Sequence, residues 1–213
     1  MSNLAFLIFF PFVMAFITYI VKDEKVRGIL VVLGSLVIIA ADVIFCITSY
    51  LGGDTVEGIK LIEEAELYEH VIMAAEVFLV GLVTYLSIKY KKYYCILLSL
   101  LGTVPVLYMD INKTVVKGVN RMMIDNLTLI MFAIVGVVGG LICIYAVGYL
   151  HSYHEHHKDI QNRSYYFQAL LFVFLGAMFG LIASDDLTWI FFFWEITSIV
   201  SFLLIGYPRS KES

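Results

Sequence analysis

The sequence predicts an all-α membrane protein, a polytopic bundle of about seven transmembrane helices with the N-terminus outside and the C-terminus inside. Hydrophobic residues make up 61% of its 213 residues, whereas charged residues make up only 15%. The charges are concentrated in short spacers between long apolar runs. Because the runs lack the alternation of barrel strands and leave no soluble region, this pattern excludes a β-barrel and a soluble enzyme, and no nucleic acid is expected as a partner.

A helix needs about 20 apolar residues to cross a hydrocarbon core of roughly 30 Å. Segments of that kind cover residues 3–21, 28–51, 70–88, 93–109, 126–150, 164–184 and 187–207. The first lacks an N-terminal Lys or Arg and a small-residue cleavage site, which predicts a retained helix. We treat 1–213 as one transmembrane domain, made of the first two helices (1–51), an extra hairpin region (52–124) and the remaining helices (125–213).

Lys and Arg residues predict the orientation, because they favour the cytoplasmic side in short loops. The first, third and fifth connections and the tail are basic, whereas the second is acidic and the sixth is only Ser184-Asp185-Asp186. We therefore expect the basic connections to be cytoplasmic. The fourth connection dissents, since it contains Lys113, Lys117 and Arg121.

Glu195 lies near the middle of the last apolar run, which has no other charged side chain after Asp186. A charge at the bilayer centre costs roughly 2.5–3.5 kcal/mol on insertion scales, so it usually faces protein or water. Burial favours a neutral carboxyl group and a nearby ammonium favours the ionised one, so a moving ammonium would load and unload a proton. We predict that Glu195 transfers protons. The alternative is a permanently protonated Glu bonded through Thr197, Ser198 or a backbone carbonyl.

The cation that would tune Glu195 is missing from the predicted spans, because every Lys and Arg falls at a helix end or in a loop. We therefore expect another polypeptide to supply an intramembrane Lys. Trp194 and Thr197 are expected to shape the surroundings of Glu195.

Two further carboxylates lie within apolar runs, in the predicted outer half of the membrane. Asp42 is the second candidate site residue and would line an exit path, or else cap a neighbouring helix through a hydrogen bond. Glu76 would line the same path or reach the headgroup region.

The remaining polar and small residues predict packing rather than chemistry. Cys46, Cys95 and Cys143 lie far apart in apolar runs and are interpreted as small core residues, without metal or disulfide spacing. Of the histidines at 151, 154, 156 and 157, only 151, 154 and 157 could share one helical face as a metal site. We interpret the segment instead as a solvated cytoplasmic turn that could buffer protons, and we expect no metal in this chain. The sequence has no Gly-rich nucleotide-binding loop, and no cofactor is expected. Small-xxx-small pairs at Gly136/Gly140 and Gly176/Gly180 predict close helix packing.

An ordered set of motifs runs from Asp125 to Tyr207. They are Asp125-Asn-Leu-Thr-Leu, Tyr145-Ala-Val-Gly-Tyr149, Leu170-Leu-Phe with Gly176-Ala-Met178, Ser184-Asp-Asp-Leu187, and Phe193-Trp-Glu-Ile-Thr-Ser with its continuation to Gly-Tyr207. This set resembles the antiporter-like membrane subunits of respiratory complex I, Mrp-type cation/proton antiporters and energy-converting membrane-bound hydrogenases. The resemblance is close over 125–207, loose over the first two helices, and does not include 52–124.

The resemblance implies that Glu195 takes part in proton transfer and pairs with a lysine on a later helix. Since the apolar runs end at Tyr207, the chain is expected to be the front piece of a split subunit, completed by a separately encoded chain. The resemblance further implies a location in a prokaryotic cytoplasmic membrane.

We expect the chain to be a non-catalytic membrane-arm subunit of a multisubunit, redox-driven pump of the energy-converting hydrogenase or complex I-like type. Its partners would be other membrane-arm subunits, and the transported ion would be H⁺ and possibly Na⁺. Two alternatives stay open: an Mrp-type cation/proton antiporter subunit without redox coupling, and a structural subunit that does not conduct.

Overall fold

The computed structural model of the chain describes residues 2–52, 93–111, 122–156 and 163–207, together with scattered positions between 74 and 91. Its helices are α1 Ser2–Ile20, α2 Glu24–Gly52, α3 Tyr94–Ile111, α4 Asn126–Ala133, a π-helix Ile134–Val138, α5 Gly139–His156, α6 Ser164–Ala183 and α7 Leu187–Ile205. The only β-type pairing in these residues is an isolated bridge between Met122 and Ser184. The predicted all-α fold is confirmed.

Five apolar helical stretches within the described residues are long enough to cross a membrane. They are Asn3–Ile20, Glu24–Leu51, Asn126–His154, Ser164–Ala183 and Leu187–Ile205. Each overlaps a predicted span closely. Helix α3 covers most of the predicted segment 93–109, and most of the segment 70–88 lies outside the described residues.

Aspartates begin three of these helices. Asp125 accepts hydrogen bonds from the backbone nitrogen and hydroxyl of Thr128, at 2.6 and 2.7 Å. Asp186 accepts one from the backbone nitrogen of Thr188, at 2.9 Å. Asp23 does the same at the start of α2. Each carboxylate satisfies amide groups that the first turn of a helix leaves without partners.

Helix α6 lies in the middle of the bundle, between α1 and α7, while α2 packs on α1 and on the α4–α5 segment. Glycines allow these contacts to be close. A methyl group on Gly176 would meet the ring of Phe12 in α1, and one on Gly180 would overlap the ring of Phe193 in α7. The predicted role of the glycine pairs in helix packing is confirmed.

The span predicted over 126–150 is helical throughout and contains a π-helix, in which each hydrogen bond closes one residue later than in an α-helix. One predicted boundary was wrong: helix α5 continues to His156, so the residues predicted as a solvated turn from His151 to His156 are helical. His154 is tied into this end of the bundle, because its ring nitrogens lie 2.7 Å from Leu150 O and 3.2 Å from the Tyr207 hydroxyl.

Candidate functional site

Glu195 lies on α7, the helix at the edge of the described bundle. Phe193 and Val200 are the buried residues on the inner side of α7, and the ring of Phe193 packs against Gly180 of α6. Glu195 itself is half-buried. Its Oε2 atom is buried and has no hydrogen-bond partner among the described residues. A lone buried carboxylate oxygen is costly in an apolar environment unless a proton or a cation accompanies it.

The hydroxyl groups next to Glu195 donate hydrogen bonds to backbone carbonyls of α7. Thr197 and Ser198 both donate to the backbone carbonyl of Trp194, at 2.8 and 2.9 Å. Ser201 donates to the carbonyl of Thr197, at 2.7 Å. These hydroxyl protons are therefore not available to Glu195, and its Oε2 forms no hydrogen bond with Thr197 or Ser198.

The outer face of α7 is exposed. It consists of Leu187, Trp194, Ser198, Phe202 and Ile205. Trp194 is 61% exposed, so its indole points away from the bundle rather than over the carboxylate. Successive helical residues are about 100° apart around the axis, and Glu195 therefore lies at the border between this exposed face and the packed one.

The extra hairpin region approaches α7 on the same side as Glu195. A Cβ atom on Gly102 of α3 would lie 4.0 Å from Cζ of Phe191. Phe191 precedes Glu195 by four residues, so the two side chains share one face of α7. The motif resemblance includes nothing of α3, and this proximity was not predicted.

Asp42 lies on α2 and is fully enclosed, with 0% of its surface exposed. Its Oδ2 atom has no hydrogen-bond partner among the described residues, and Cys46 Sγ lies 3.9 Å from Oδ1. The carboxylate packs directly on Gly136 of the π-helix, where any side chain would overlap it. The hydrogen bond by which Asp42 was alternatively predicted to cap a neighbouring helix is absent from the described residues.

The cysteines differ in their surroundings. Cys143 is buried in the core, as predicted. Cys46 is half-buried, and its Sγ lies 3.5 Å from the carbonyl of Leu129, next to Asp42. Cys46 is therefore both a packing residue and a polar neighbour of that carboxylate. The side chain of Cys95 lies outside the described residues.

The structure does not bring the two carboxylates together. Between α2 and α6, the rings of Phe45, Phe132 and Phe179 form a chain with centroid distances of 5.6 and 5.2 Å. Phe132 and Phe179 are fully buried. Glu195 lies beyond α6, on the other side of this aromatic layer. Glu76 lies outside the described residues.

Sequence reasoning missed Gly136 and Arg27. Gly136 was interpreted only as part of a packing pair, since the π-helix that turns it toward Asp42 has no pattern in the sequence. Arg27 was assigned to a loop-side charge cluster, yet it is buried in the first turn of α2 and donates to Gln168, 141 residues away in sequence, at 2.8 Å. The only feature of the sequence that indicates close helix packing at Arg27 is the adjacent small residue, Gly28.

Comparison with known proteins supports the motif resemblance. Residues 120–159 match the family described as NADH-Ubiquinone oxidoreductase (complex I), chain 5 N-terminus. This stretch contains α4, the π-helix and α5, but neither Asp42 nor Glu195.

Relatives of known description include the Na(+)/H(+) antiporter subunit A1 of Staphylococcus haemolyticus, which is 34% identical over 110 residues, or 47% of this chain. The Na(+)/H(+) antiporter subunit A1 of Staphylococcus aureus strain RF122 is 36% identical over 90 residues, or 42% of this chain. The matches span 13% and 10% of the lengths of these two relatives. No solved structure matches the chain.

Proposed function

We propose that this chain, a member of the antiporter-like membrane subunit family, moves ions within a multisubunit complex, and that Glu195 is its proton-transfer group. The observation that carries the proposal is the buried oxygen of Glu195, which has no hydrogen-bond partner in the described part of the chain and lies on a helix whose outer face is exposed. A carboxylate placed there costs free energy unless a partner reaches it. A glutamine would make the same static contacts at lower cost, so the ionisable group serves a purpose beyond packing.

The mechanism is electrostatic. An ammonium group that approaches Glu195 favours its ionised form and releases a proton, and its withdrawal favours proton uptake. Two unit charges 4 Å apart interact by about 4 kcal/mol at an effective dielectric of about 20. That energy corresponds to a change of nearly a thousandfold in the proton dissociation constant of the carboxyl group. Withdrawing the cation from about 4 Å to about 8 Å halves this energy, which changes the protonation equilibrium roughly thirtyfold.

The cation comes from a neighbouring subunit. In the described helices, no Lys or Arg lies within salt-bridge distance of Glu195, and the buried Arg27 is engaged with Gln168 of α6. The face made of Trp194, Ser198 and Phe202 is exposed and borders Glu195. A partner helix that carries a Lys and packs on this face would bring the ammonium beside the carboxylate.

Asp42 has a secondary role in this proposal, on the outer part of the path. Its enclosure by Gly136 means that ions reach it only when α2 and the π-helix separate. The chain as a whole would lie in a prokaryotic cytoplasmic membrane, without redox chemistry of its own.

Two driving forces remain as alternatives, each supported by a different comparison. The match to complex I chain 5 supports a redox-driven pump, such as an energy-converting hydrogenase or complex I-like assembly. The Na(+)/H(+) antiporter relatives support cation/proton exchange without redox coupling. In vesicles that contain the native complex, an imposed Na⁺ gradient will move protons without any electron donor if exchange is the function. A redox-driven pump will acidify the vesicles only when a donor is added.

The role of Glu195 is tested by Glu195→Gln in the complex reconstituted into vesicles. We expect the subunits to assemble normally while proton movement, followed with a pH-sensitive dye, is largely lost. Glu195→Ala serves as the packing control. If Glu195→Gln pumps normally and Glu195→Ala fails to assemble, Glu195 is structural and the alternative of a scaffolding subunit is correct.

A further inference from the structure

A groove lies at the end of the bundle where α2 and α6 begin and α5 ends. Its volume is about 1160 Å³, and its walls include Arg27, Leu33, Val147, Gly148 and Gln168. This end is remote from the π-helix and from Asp42, because Arg27 and Asp42 are four turns apart on α2. The proposed function uses no residue of this groove.

Arg27 forms the floor of the groove and is only 4% exposed. Its Nε donates to Gln168 Oε1 at 2.8 Å. Its Nη1 makes only two long hydrogen bonds, to the carbonyls of Lys22 at 3.4 Å and Val21 at 3.5 Å. No carboxylate among the described residues forms a salt bridge with it. The three acceptors are neutral oxygens, so they leave the charge of this buried guanidinium uncompensated, and a negatively charged partner would stabilise it.

Among the described residues, the other charged groups at this end do not pair with Arg27. Lys25 lines the groove and adds a second positive charge. Asp23 is occupied at the start of α2, where its Oδ1 accepts from the backbone nitrogens of Lys25 and Val26 at 2.9 and 3.2 Å. Glu24 is exposed, and both Asp23 and Glu24 line the groove beside Lys25 and His151. Neither of these two carboxylates forms a salt bridge with Arg27.

The rest of the groove is apolar and faces outward. Ile29 and Leu33 of α2 are both exposed, and Val32 and Val147 continue the wall. Gly148 keeps the groove open, because a Cβ atom there would have no neighbour within 4 Å. The polar floor and apolar wall together fit a molecule that is anionic at one end and hydrocarbon at the other.

We propose that this groove binds a phospholipid, with its phosphate on Arg27 and an acyl chain along Leu33 and Gly148. Nε and Nη1 are used by Gln168 and the two carbonyls, so Nη2 is the part of the guanidinium that would donate to a phosphate oxygen, in a charge-assisted hydrogen bond. Basic pockets between transmembrane helices hold lipid headgroups in the same way. The bound lipid ties α2, α5 and α6 together at this end and neutralises Arg27.

Native mass spectrometry of the purified full chain in detergent tests the proposal with three probes. Phosphatidylglycerol has both phosphate and acyl chains, a galactosyl diacylglycerol with the same chains has no phosphate, and glycerol phosphate has no chains. We expect phosphatidylglycerol to bind at least about tenfold more tightly than the glycolipid, the scale of one charge-assisted hydrogen bond. Glycerol phosphate should not displace it at millimolar concentration. Equal binding of the two lipids, or displacement by glycerol phosphate, overturns the proposal.

Two variants and a matched control locate the site. Arg27→Gln removes the charge, and Gly148→Leu places a side chain in the groove at a position where the Cβ atom meets no described neighbour within 4 Å. Each should weaken phosphatidylglycerol binding at least about tenfold. Gly81→Leu is the control, since a Cβ atom on Gly81 also meets no described residue within 4 Å and Gly81 lies outside the groove, and it should bind as the parent does. If Arg27→Gln fails to fold, Gly148→Leu still decides, because normal binding by that variant contradicts the proposal.

Discussion

Asp42 and Glu195 are both carboxylates within apolar helices, and each has one buried oxygen without a hydrogen-bond partner among the described residues. They differ in what surrounds them. Asp42 is enclosed by its own chain, between α2 and the π-helix, whereas Glu195 is half-buried at the border of an exposed face. The comparison teaches that the packing of neighbouring helices, rather than depth in an apolar run, decides which carboxylate a partner can reach.

The first way to test this difference is ion movement in the reconstituted complex. Glu195→Gln should reduce the rate of proton translocation by roughly a hundredfold, the scale on which a positioned proton-transfer group acts. Asp42→Asn keeps the shape of an enclosed side chain and should reduce the rate only by about threefold, equivalent to less than 1 kcal/mol. A larger loss for Asp42→Asn than for Glu195→Gln would reverse the assignment of the two residues.

The second test is chemical access. A hydrophobic carbodiimide reacts with protonated carboxyl groups in apolar surroundings, so it should modify Glu195 in the purified chain. Modification of Asp42 first requires α2 and the π-helix to separate, and each ~1.4 kcal/mol of opening free energy slows the reaction tenfold. Peptide mass mapping should therefore find Glu195 labelled at least tenfold faster. Equal rates would mean that Asp42 is as accessible as the edge residue.

The third test concerns the packing that encloses Asp42. Gly136→Ala places a methyl group on the carboxylate and should destabilise the protein by about 1–3 kcal/mol, the usual cost of overpacking. Gly148→Ala is the control, since its methyl group meets nothing and alanine favours a helix by up to about 1 kcal/mol. Thermal unfolding in detergent should thus shift in opposite directions for the two variants.

The double variant Gly136→Ala with Asp42→Ala identifies the cause of the loss. Removing the carboxylate should restore much of the stability, because the two side chains occupy the same space. Purely additive effects of the two substitutions would show that Gly136→Ala acts through another neighbour.

The helices and Glu195 could be predicted from the sequence because their signals are local. A run of apolar residues has the length of a membrane span, and a single acidic residue within it stands out. The same signals located α2, α6 and α7 to within a few residues, with Asp125 and Asp186 at helix starts as their residue types favour.

The enclosure of Asp42 and the burial of Arg27 could not be predicted, because both depend on which helices are neighbours. Asp42 meets Gly136 and Arg27 meets Gln168 only after distant parts of the chain pack together. The π-helix could not be predicted from the local sequence either, since Ile134–Val138 has the composition of an ordinary apolar helix. From the sequence, the two carboxylates could be compared only by their positions in the apolar runs. Whether each carboxylate is enclosed by its own chain or accessible to a partner could not be predicted.

The smallest effect is expected at Asp125, which begins the helical segment that packs on Asp42. Hydrogen bonds from the Thr128 hydroxyl and then from its backbone nitrogen lower the pKa of Asp125 from its ordinary value of 3.8. A lowered pKa in the folded state means that the stabilisation is complete above the ordinary value and is lost as the pH falls through the lowered one. The melting temperature should therefore decline below about pH 4 in part through this group.

Asp125→Asn separates the charge from the cap. Asparagine still accepts the hydrogen bonds of the first turn, so the variant should melt near the parent temperature at neutral pH and lose this part of the acid dependence. The variant Asp125→Ala should have a lower melting temperature than the parent at every pH. Because α4 packs on α2, the carbodiimide should also label Asp42 slightly faster in this variant, while the labelling rate of Glu195 on α7 stays unchanged. An equal rise at both carboxylates would indicate general loosening of the bundle, and the enclosure of Asp42 would then not be a local property of α2 and the π-helix.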